Sequence, residues 1–598
     1  MSDSMWYAFL NDELCYVSLW TFACLIAIIF IWQTTQQLAA HLRRLATFTD
    51  PSQMFHRVAD PRLSWLKRHV LYAPLWRNRH NREMQLSRAV NMGTLPSRFH
   101  ALLLTFVVAL NVILCTITIP FGLKESTVAM QIRNRTGYMA TANLFPLFIM
   151  AGRNNPLIAL LRISFDTWNL LHRWLGRIVV LEALAHVVAW GVPKVQDYGW
   201  KGMLATLSKP FMFNGLMCMV ALLIILVQSP SPIRHAFYET FLHLHIALAC
   251  IALGFVWHHV YRYSCKFYLY AAVAFWACER LARFLILLHR NFRSGTRTTA
   301  YIEVVPGDAM RITLHVAQPW RFSPGQYLFL CIPSVGGWTS HPFSVAWAGD
   351  TSTAAAASVP EKSSNNYLSP DTTSQSICLL IRRRTGFTDN LFKTALTHQH
   401  SHRSTLSYSD DPMATSPSFL APQTTPSLRL SALVEGPYGN LHTLDSYGTV
   451  LLIAGGVGIT HCLPFIPHLL KGYTAGTVSA RRIALVWVVQ SPEHLEWIRP
   501  WMTEVLAMED RRAVLRVKVF VTRPRSPREI KSPSATVEMF AGRPDVQTVV
   551  GMEAAGQVGA MGVMCCGNGG LSDEVRRACR AVLERGAVVD YIEESFTW

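Results

Sequence analysis

HRWLGRIVVLEALAH runs from His172 to His186, and HIALACIALGFVWHH runs from His245 to His259. Each is an apolar stretch with a histidine at both ends, and each interval is fourteen residues. Fourteen residues make about 3.9 helical turns, so both histidines of a pair fall on one helix face, roughly 21 Å apart along the axis. That length nearly spans the roughly 30 Å hydrocarbon core of a bilayer. Two helices running the same way with matched intervals set two imidazole couples at two depths, His172 with His245 and His186 with His259. Imidazole is a haem-iron ligand, and a flat macrocycle fits between facing helices. His258 would give thirteen residues, about a hundred degrees off the shared face, and His243 falls on another face. A lone membrane histidine is ordinarily a hydrogen-bonding or interfacial residue; the repeated interval argues against that here.

The rest of the chain agrees with a membrane setting. Of 598 residues 51% are hydrophobic and only 15% charged, against roughly 25% charged in soluble proteins. A chain this long needs at least two structural units. The formal charge of +18 resides in Lys and Arg beside apolar runs, where the positive-inside rule places them, and no nucleic-acid motif accompanies it. Thirteen scattered Cys form no paired framework, so no disulfide scaffold is expected. Seven spans are predicted: Tyr16–Trp32, Phe99–Pro120, Tyr138–Met150, Phe165–Trp190, Phe211–Val227, Phe237–Val260 and Phe267–Leu288. The acidic start before the first span (Asp3, Asp12, Glu13) and the basic segment from Arg43 to Arg88 put the N-terminus outside and the remainder inside. Lys124, Arg133 and Arg135 then lie in an outer loop, next to an Asn134 sequon too close to the third span for glycosylation.

From Thr296 onward, short β-type runs separated by Gly and Pro alternate with helix-like stretches, the texture of a soluble module. Two polar inserts, Asp350–Ser376 and His398–Ser427, are rich in Ser, Thr, Ala and Pro and are expected to be mobile loops. His341-Pro342-Phe343-Ser344 follows a Gly-rich turn. Arg382-Arg383-Arg384-Thr385-Gly386-Phe387-Thr388 combines cations, a turn Gly and a hydroxyl, a set suited to a dinucleotide diphosphate. An apolar run from Val450 enters Gly455-Gly456-Val457-Gly458-Ile459-Thr460, where backbone N–H groups and a helix start can take a pyrophosphate. A second strand ends in Cys565-Cys566-Gly567-Asn568-Gly569, and the chain closes on Glu593-Glu594-Ser595-Phe596-Thr597-Trp598.

In this order, with the histidine pairs before them, these motifs resemble the fungal-type ferric reductase family, kin of the NADPH oxidases. Pro74–Arg82, Ala151–Asn155 and the closing Glu-Ser-Phe-Thr-Trp are similar to the family as well. The resemblance implies a multi-pass helical membrane domain followed by a ferredoxin reductase-type module, a flavin-binding antiparallel β-barrel plus an α/β nucleotide-binding domain. The expected domains are 1–98, an N-terminal span and basic segment; 99–290, the haem domain; 291–445, the FAD-binding barrel; and 446–598, the NAD(P)H-binding domain. It implies two b-type haems on His172, His186, His245 and His259. FAD would be held by His341, Pro342, Phe343 and Ser344, with Arg382, Gly386 and Thr388 at its diphosphate. Gly455, Gly456, Gly458 and Thr460 would meet the NADPH diphosphate. Cys566 and Gly567 would lie by the nicotinamide, and Glu594 and Trp598 by the flavin.

Asn568 stands where the family has Pro. Gln490 stands where a basic residue often recognises the 2′-phosphate, which leaves NADH open, with Arg481, Arg482, Arg523 and Arg525 as substitutes. The implied activity is NADPH-dependent reduction of ferric chelates, with cupric ion second, at a plasma or internal membrane and beside iron-uptake partner proteins. The alternatives are a superoxide-producing NADPH oxidase and, from another class, a metal transporter whose histidines bind ions directly.

Overall fold

The computed structural model describes residues 3–76, 79–85, 87, 92–119, 121–122, 125–350, 375–407 and 427–594. It divides into two compact units, one of residues up to Leu38 with His69–Ala282, the other of Ala39–Arg68 with the chain from Arg283 on.

Seven long helices run through the first unit: α1 (Asp3–Thr49), α2 (Arg98–Thr116), α3 (Glu125–Ala151), α4 (Phe165–Leu207), α5 (Pro210–Gln228), α6 (Tyr238–Val260) and α7 (Lys266–Asn291), with the ends of α1 and α7 passing into the second. Five of them, α1, α2, α4, α5 and α6, are long and apolar enough to cross a membrane. Helix α4 leaves helical geometry at Gly199 (φ 65°, ψ 178°).

The third span was expected to be short and to follow an outer loop. Instead α3 begins at Glu125 and carries Arg133 and Arg135 inside it. Arg135 is 2% exposed, and its guanidinium donates to Asn11 Oδ1 (2.6 Å) and to the carbonyls of Leu114 (3.0 Å) and Ile117 (3.2 Å). Those carbonyls belong to the last turn of α2 and just beyond it, where intrahelical partners run out, so a buried cation is compensated there.

The second unit contains two large sheets, besides a short antiparallel pairing of Phe292–Arg293 with Thr296–Arg297. Strands β1 (Thr299–Val305), β2 (Ala309–His315), β3 (Gln326–Cys331), β4 (His341–Asp350), β5 (Gln375–Arg382), β6 (Leu428–Ser431) and β7 (Leu433–Gly439) form an antiparallel sheet in the order β6-β1-β2-β5-β4-β3-β7. The two edge strands are joined by Ala432 alone, so the sheet curls until its edges meet at that corner. Its interior is aliphatic: Ile302, Met310, Ile312, Leu314, Leu328 and Leu330 are buried. Helix α8 (Phe387–Ser407) packs on this core through Phe387, Leu391, Phe392 and Ala395. The second insert, read as a loop from His398, thus opens with the last turns of a helix: Phe387–Ala395 buries an apolar stripe, and the helix it starts runs on. The rest of that insert and most of the first lie outside the described residues.

The second sheet is parallel. Strands β8 (Thr449–Gly455), β9 (Arg482–Val489), β10 (Leu515–Val521), β11 (Val537–Ala541), β12 (Met561–Cys566) and β13 (Val589–Glu594) take the order β11-β10-β9-β8-β12-β13. Their near-continuous apolar runs reflect burial on both faces. From β8 the chain winds outward through β9, β10 and β11, then returns to β12 on the other side, which makes the gap between β8 and β12 the topological switch point.

Residues 39–68 pack against this parallel-sheet domain. Gln53 is 1% exposed and its amide donates to the Ser479 carbonyl (2.7 Å); Arg43 lies over the Tyr447 ring, and Arg68 pairs with Glu584. Lys67 pairs with Asp590, which also accepts from the Tyr447 hydroxyl (3.0 Å). Burial opposes the charge of Asp590, but Lys67, Arg43 and Tyr447 outweigh it and hold the carboxyl below the usual range. Its contribution to stability is therefore present above the ordinary carboxylate pKa and lost as pH falls through the depressed one. Lys67→Met is expected to cost on the order of 2–3 kcal/mol by removing the ammonium partner of buried Asp590. Thermal unfolding of the full chain followed against pH checks this: the variant should melt lower at neutral pH and approach wild type in acid.

Candidate functional site

Two sites lie in the first unit and two in the second. In the helical unit the ring centroids of His172 and His245 are 6.2 Å apart at 76°, and those of His186 and His259 are 6.2 Å apart at 88°. Helices α4 and α6 therefore carry both couples. That spacing leaves room for one metal ion between the rings of each couple, so His172 with His245 and His186 with His259 could each hold one. Three of the rings are oriented from outside the couple: Nδ1 of His172 bonds the Leu147 carbonyl (3.0 Å), that of His186 the Arg133 carbonyl (2.7 Å), and that of His259 the Phe211 carbonyl (2.9 Å). A carbonyl only accepts, so Nδ1 carries the proton and Nε2 is left as a lone-pair donor. The ring of His259 also stacks on Phe211, centroids 4.3 Å apart. Among the described residues no group of three or more His, Cys, Asp and Glu gathers as a metal cluster.

Two glycines that sequence reasoning missed make this approach possible. A Cβ on Gly137 would stand 2.6 Å from His186 Nδ1, and one on Gly215 would stand 2.8 Å from His259 Cε1. The only signal for them in the sequence is a glycine inside an apolar helix. A second omission is polar: Glu182, Asn143 and Asn111 form a buried hydrogen-bonded group one turn from His186.

In the antiparallel sheet, His341, Pro342, Phe343 and Ser344 open β4, where Leu330, Phe329, Leu328 and Tyr327 of β3 pair with them in turn. Arg382 ends β5, and Gly386 (φ 72°) turns the chain into α8. The Thr388 hydroxyl accepts from the Arg384 N–H (2.9 Å), which shapes that turn. His341 stacks on Phe387 (4.6 Å, 15°), which brings the start of β4 to the N-terminus of the 21-residue helix. A Cβ on Gly386 would meet nothing within 4 Å. Among the described residues Arg382 has no ion-pair partner, whereas Arg383 is held by Asp389 and Asp308. An open helix N-terminus with a free guanidinium fits a diphosphate.

At the switch point of the parallel sheet, Gly455–Gly458 and Cys566–Gly567 lie back to back at the carboxyl ends of β8 and β12. Ala454 pairs with Cys566, and Cys566 with Glu594. A Cβ on Gly458 would stand 2.2 Å from the Cys566 carbonyl oxygen, and one on Gly567 would stand 3.2 Å from Gly455. Gly456 (φ 55°) has open space and its carbonyl accepts from Trp487 Nε1 (3.0 Å). The Thr460 hydroxyl donates to the Val457 carbonyl (2.9 Å) within the same turn. Burial pushes the Cys566 thiol well up, with Cys462 and Glu594 adding to it, so the thiol is neutral. Asn568, where Pro was expected, is the N-cap of the helix at Gly569–Glu584: its Oδ1 accepts from the Leu571 N–H (2.9 Å). Trp598 lies outside the described residues.

Strand polarity separates the four arginines proposed for the 2′-phosphate. Arg481 and Arg482 stand at the amino end of β9, with Arg481 on the Val478 and Ala480 carbonyls and Arg482 paired with Glu553. They stand away from the carboxyl ends, where open parallel α/β sheets take their ligands. Gln490, Arg523 and Arg525 follow the carboxyl ends of β9 and β10, and the Arg523 N–H donates to the Gln490 carbonyl (2.9 Å). Arg525 pairs with Glu493 at the exposed surface.

Residues 136–256 match the family described as ferric reductase like transmembrane component, residues 295–355 an FAD-binding domain, and residues 447–580 the ferric reductase NAD binding domain. The chain is 26% identical over 546 residues to ferric/cupric reductase transmembrane component 2 of Saccharomyces cerevisiae, covering 85% of this chain and 68% of that one. It is 26% identical over 511 residues to ferric reductase transmembrane component 3 of the same yeast, covering 80% and 63%. The matches thus span about two thirds of the length of these relatives. Among solved structures, Amycolatopsis cytochrome P450 reductase GcoB is similar over 50% of this chain and 71% of its own, at 16% identity and a TM-score of 0.31. With a transmembrane component, an FAD-binding domain and an NAD-binding domain matched in that order along one multi-pass membrane chain, the protein belongs to the ferric reductase family.

Proposed function

We propose that the chain is a transmembrane metalloreductase that uses cytosolic NADPH, with FAD and two b-type haems as its cofactors, to reduce ferric chelates on the far side of the membrane; cupric ion is a second acceptor. The observation that carries this reading is the pair of histidine couples on α4 and α6, spaced for two ions, on the same chain as two dinucleotide cradles. His172 and His245 would hold the inner haem and His186 and His259 the outer one. His341–Ser344 would hold the flavin, with Arg382, Gly386 and Thr388 at its diphosphate. When bound, flavin supplies the change from a two-electron donor to single electrons, and haem supplies one-electron carriage across the bilayer.

The chain's own residues bind and orient. Gly455, Gly456, Gly458 and Thr460 receive the nucleotide diphosphate at the switch point. Cys566 and Gly567 border the nicotinamide position, where a neutral thiol places no charge against the ring. Glu594, on the neighbouring strand, covers the flavin side. The three carbonyl-bonded imidazoles keep Nε2 aimed inward, so loading needs no tautomer change. Positive charge following the odd-numbered spans supports a cytosolic soluble module and an outer couple of His186 and His259. The plasma membrane fits an acceptor taken from outside the cell, with iron-uptake proteins as partners for the ferrous product.

Sealed vesicles test the whole reading: NADPH supplied on the module's side should reduce a ferric chelate on the other. A transporter would show no haem absorbance, and an oxidase would consume oxygen with the chelate left ferric. Nucleotide choice is a separate expectation. With Gln490 uncharged, replacing both Arg523 and Arg525 with alanine should raise the KM for NADPH about tenfold or more and leave that for NADH within about twofold, since a charge-assisted contact contributes about 1.5–3 kcal/mol. Steady-state kinetics with both nucleotides checks it.

A further inference from the structure

We propose that Glu182 is a redox-linked proton site of the outer histidine couple. When one electron enters the group held by His186 and His259, the Glu182 carboxylate takes up one proton from solution; when that electron leaves for the acceptor, the proton is released. This inference rests on the haem reading above.

Glu182 is 6% exposed in the interior of α4, one turn before His186 and on the same side of the helix. It is embedded in a built polar site. The Asn143 amide donates to both carboxyl oxygens (3.2 and 3.0 Å) and to Asn111 Oδ1 (2.7 Å), and the Cys115 thiol donates to Oε1 (3.7 Å). Three helices, α2, α3 and α4, converge on it. The titratable and charged groups that act on this cluster are Cys115 on α2, Cys15 on α1 and Arg135 farther along α3; His186 shares its helix, and His259 faces that ring from α6. Among the described residues no Lys or Arg forms an ion pair with Glu182.

An ionisable side chain inside a membrane bundle is costly and rarely a mere packing device. A hydrogen-bond node joining three helices would be served equally well by glutamine. What glutamate adds is an exchangeable proton. Placing an electron in a low-dielectric interior is unfavourable unless a positive charge accompanies it, and an acidic group one helical turn away is the nearest place for a proton. The Asn143 amide, itself held by Asn111 Oδ1, and the Cys115 thiol donate to the carboxylate while it is charged, so both protonation states are tolerated.

The test uses the full-length, haem-loaded protein in nanodiscs, with each haem's midpoint potential followed by absorbance over the neutral pH range. The outer haem's potential should fall as pH rises in wild type. In Glu182→Gln that dependence should vanish with both haems retained. Wild-type dependence persisting in Glu182→Gln, or no dependence in wild type, would overturn the proposal. Asn143→Ala gives a second reading if the glutamine variant does not hold both haems. It removes a donor to the carboxylate and should move the pH-dependent region upward, and an unmoved region would also overturn the proposal. A preparation without haem absorbance defeats the functional reading itself, whereas two haems with pH-independent potentials defeat only the proton site.

Discussion

Replacing His186 or His259 with alanine is expected to halve the haem content and to abolish ferric reduction, while NADPH still reduces the bound flavin. On the proposed reading each ring would supply one ligand, and losing either leaves the other without its facing partner. The surviving imidazole is locked by its bond to the Arg133 or Phe211 carbonyl, so it has no freedom to recruit a substitute. The nucleotide cradle lies in the other compact unit and keeps its own core, which is why the first step should persist. His243→Ala is the control: that ring is exposed and bonds the Glu239 carbonyl of its own helix (2.8 Å). Haem absorbance, chelate reduction and anaerobic flavin bleaching by NADPH separate the outcomes. Two unaltered haems in either variant would remove His186 and His259 as ligands.

Gly458→Ala should come close to abolishing nucleotide use. The added methyl would stand 2.2 Å from the Cys566 carbonyl oxygen and 2.7 Å from its carbon. Both atoms belong to the backbone of a central strand paired on either side, so no side chain can swing away to relieve the clash. Separating the two glycine turns should cost about 1–3 kcal/mol in stability and disorganise the N–H groups that receive the diphosphate. We expect the KM for NADPH to rise at least about a hundredfold, converting a loss of about 2.7 kcal/mol in binding. Gly456→Ala provides the comparison. Its methyl would meet open space, and the strain of φ 55° alone costs about 1 kcal/mol. Nucleotide titration and thermal melting of both variants should rank Gly458→Ala as the more damaging; equal affinities would show that the two turns do not depend on this contact.

Periodicity and turn chemistry made much of the organisation legible in advance. The fourteen-residue intervals depend only on helical pitch, and pitch is a local property, so facing histidines follow from counting. The glycine runs after Val450 and Met561 mark ends of buried strands for a similarly local reason. What resisted reading was whatever depends on how elements meet. Arg481 and Arg482 were offered as substitutes for a basic residue at Gln490, yet strand β9 separates them from it by its whole length. Arg135 looked like a loop cation until the end of α2 supplied carbonyls for it. The helical start of the second insert was hidden because its polar residues continue a helix whose apolar stripe lies upstream.

By itself, then, the sequence determined the seven apolar segments, the two histidine intervals, the dinucleotide turns and their order, because each follows from composition or from repeat distances along one chain. Only the tertiary structure decided that Gly137 and Gly215 admit the histidine rings, that Gly458 lies against Cys566, and that Glu182 is held by the Asn143 amide one turn from His186. These are contacts between residues dozens to more than a hundred positions apart. Their existence depends on close packing of whole elements, which no local pattern encodes.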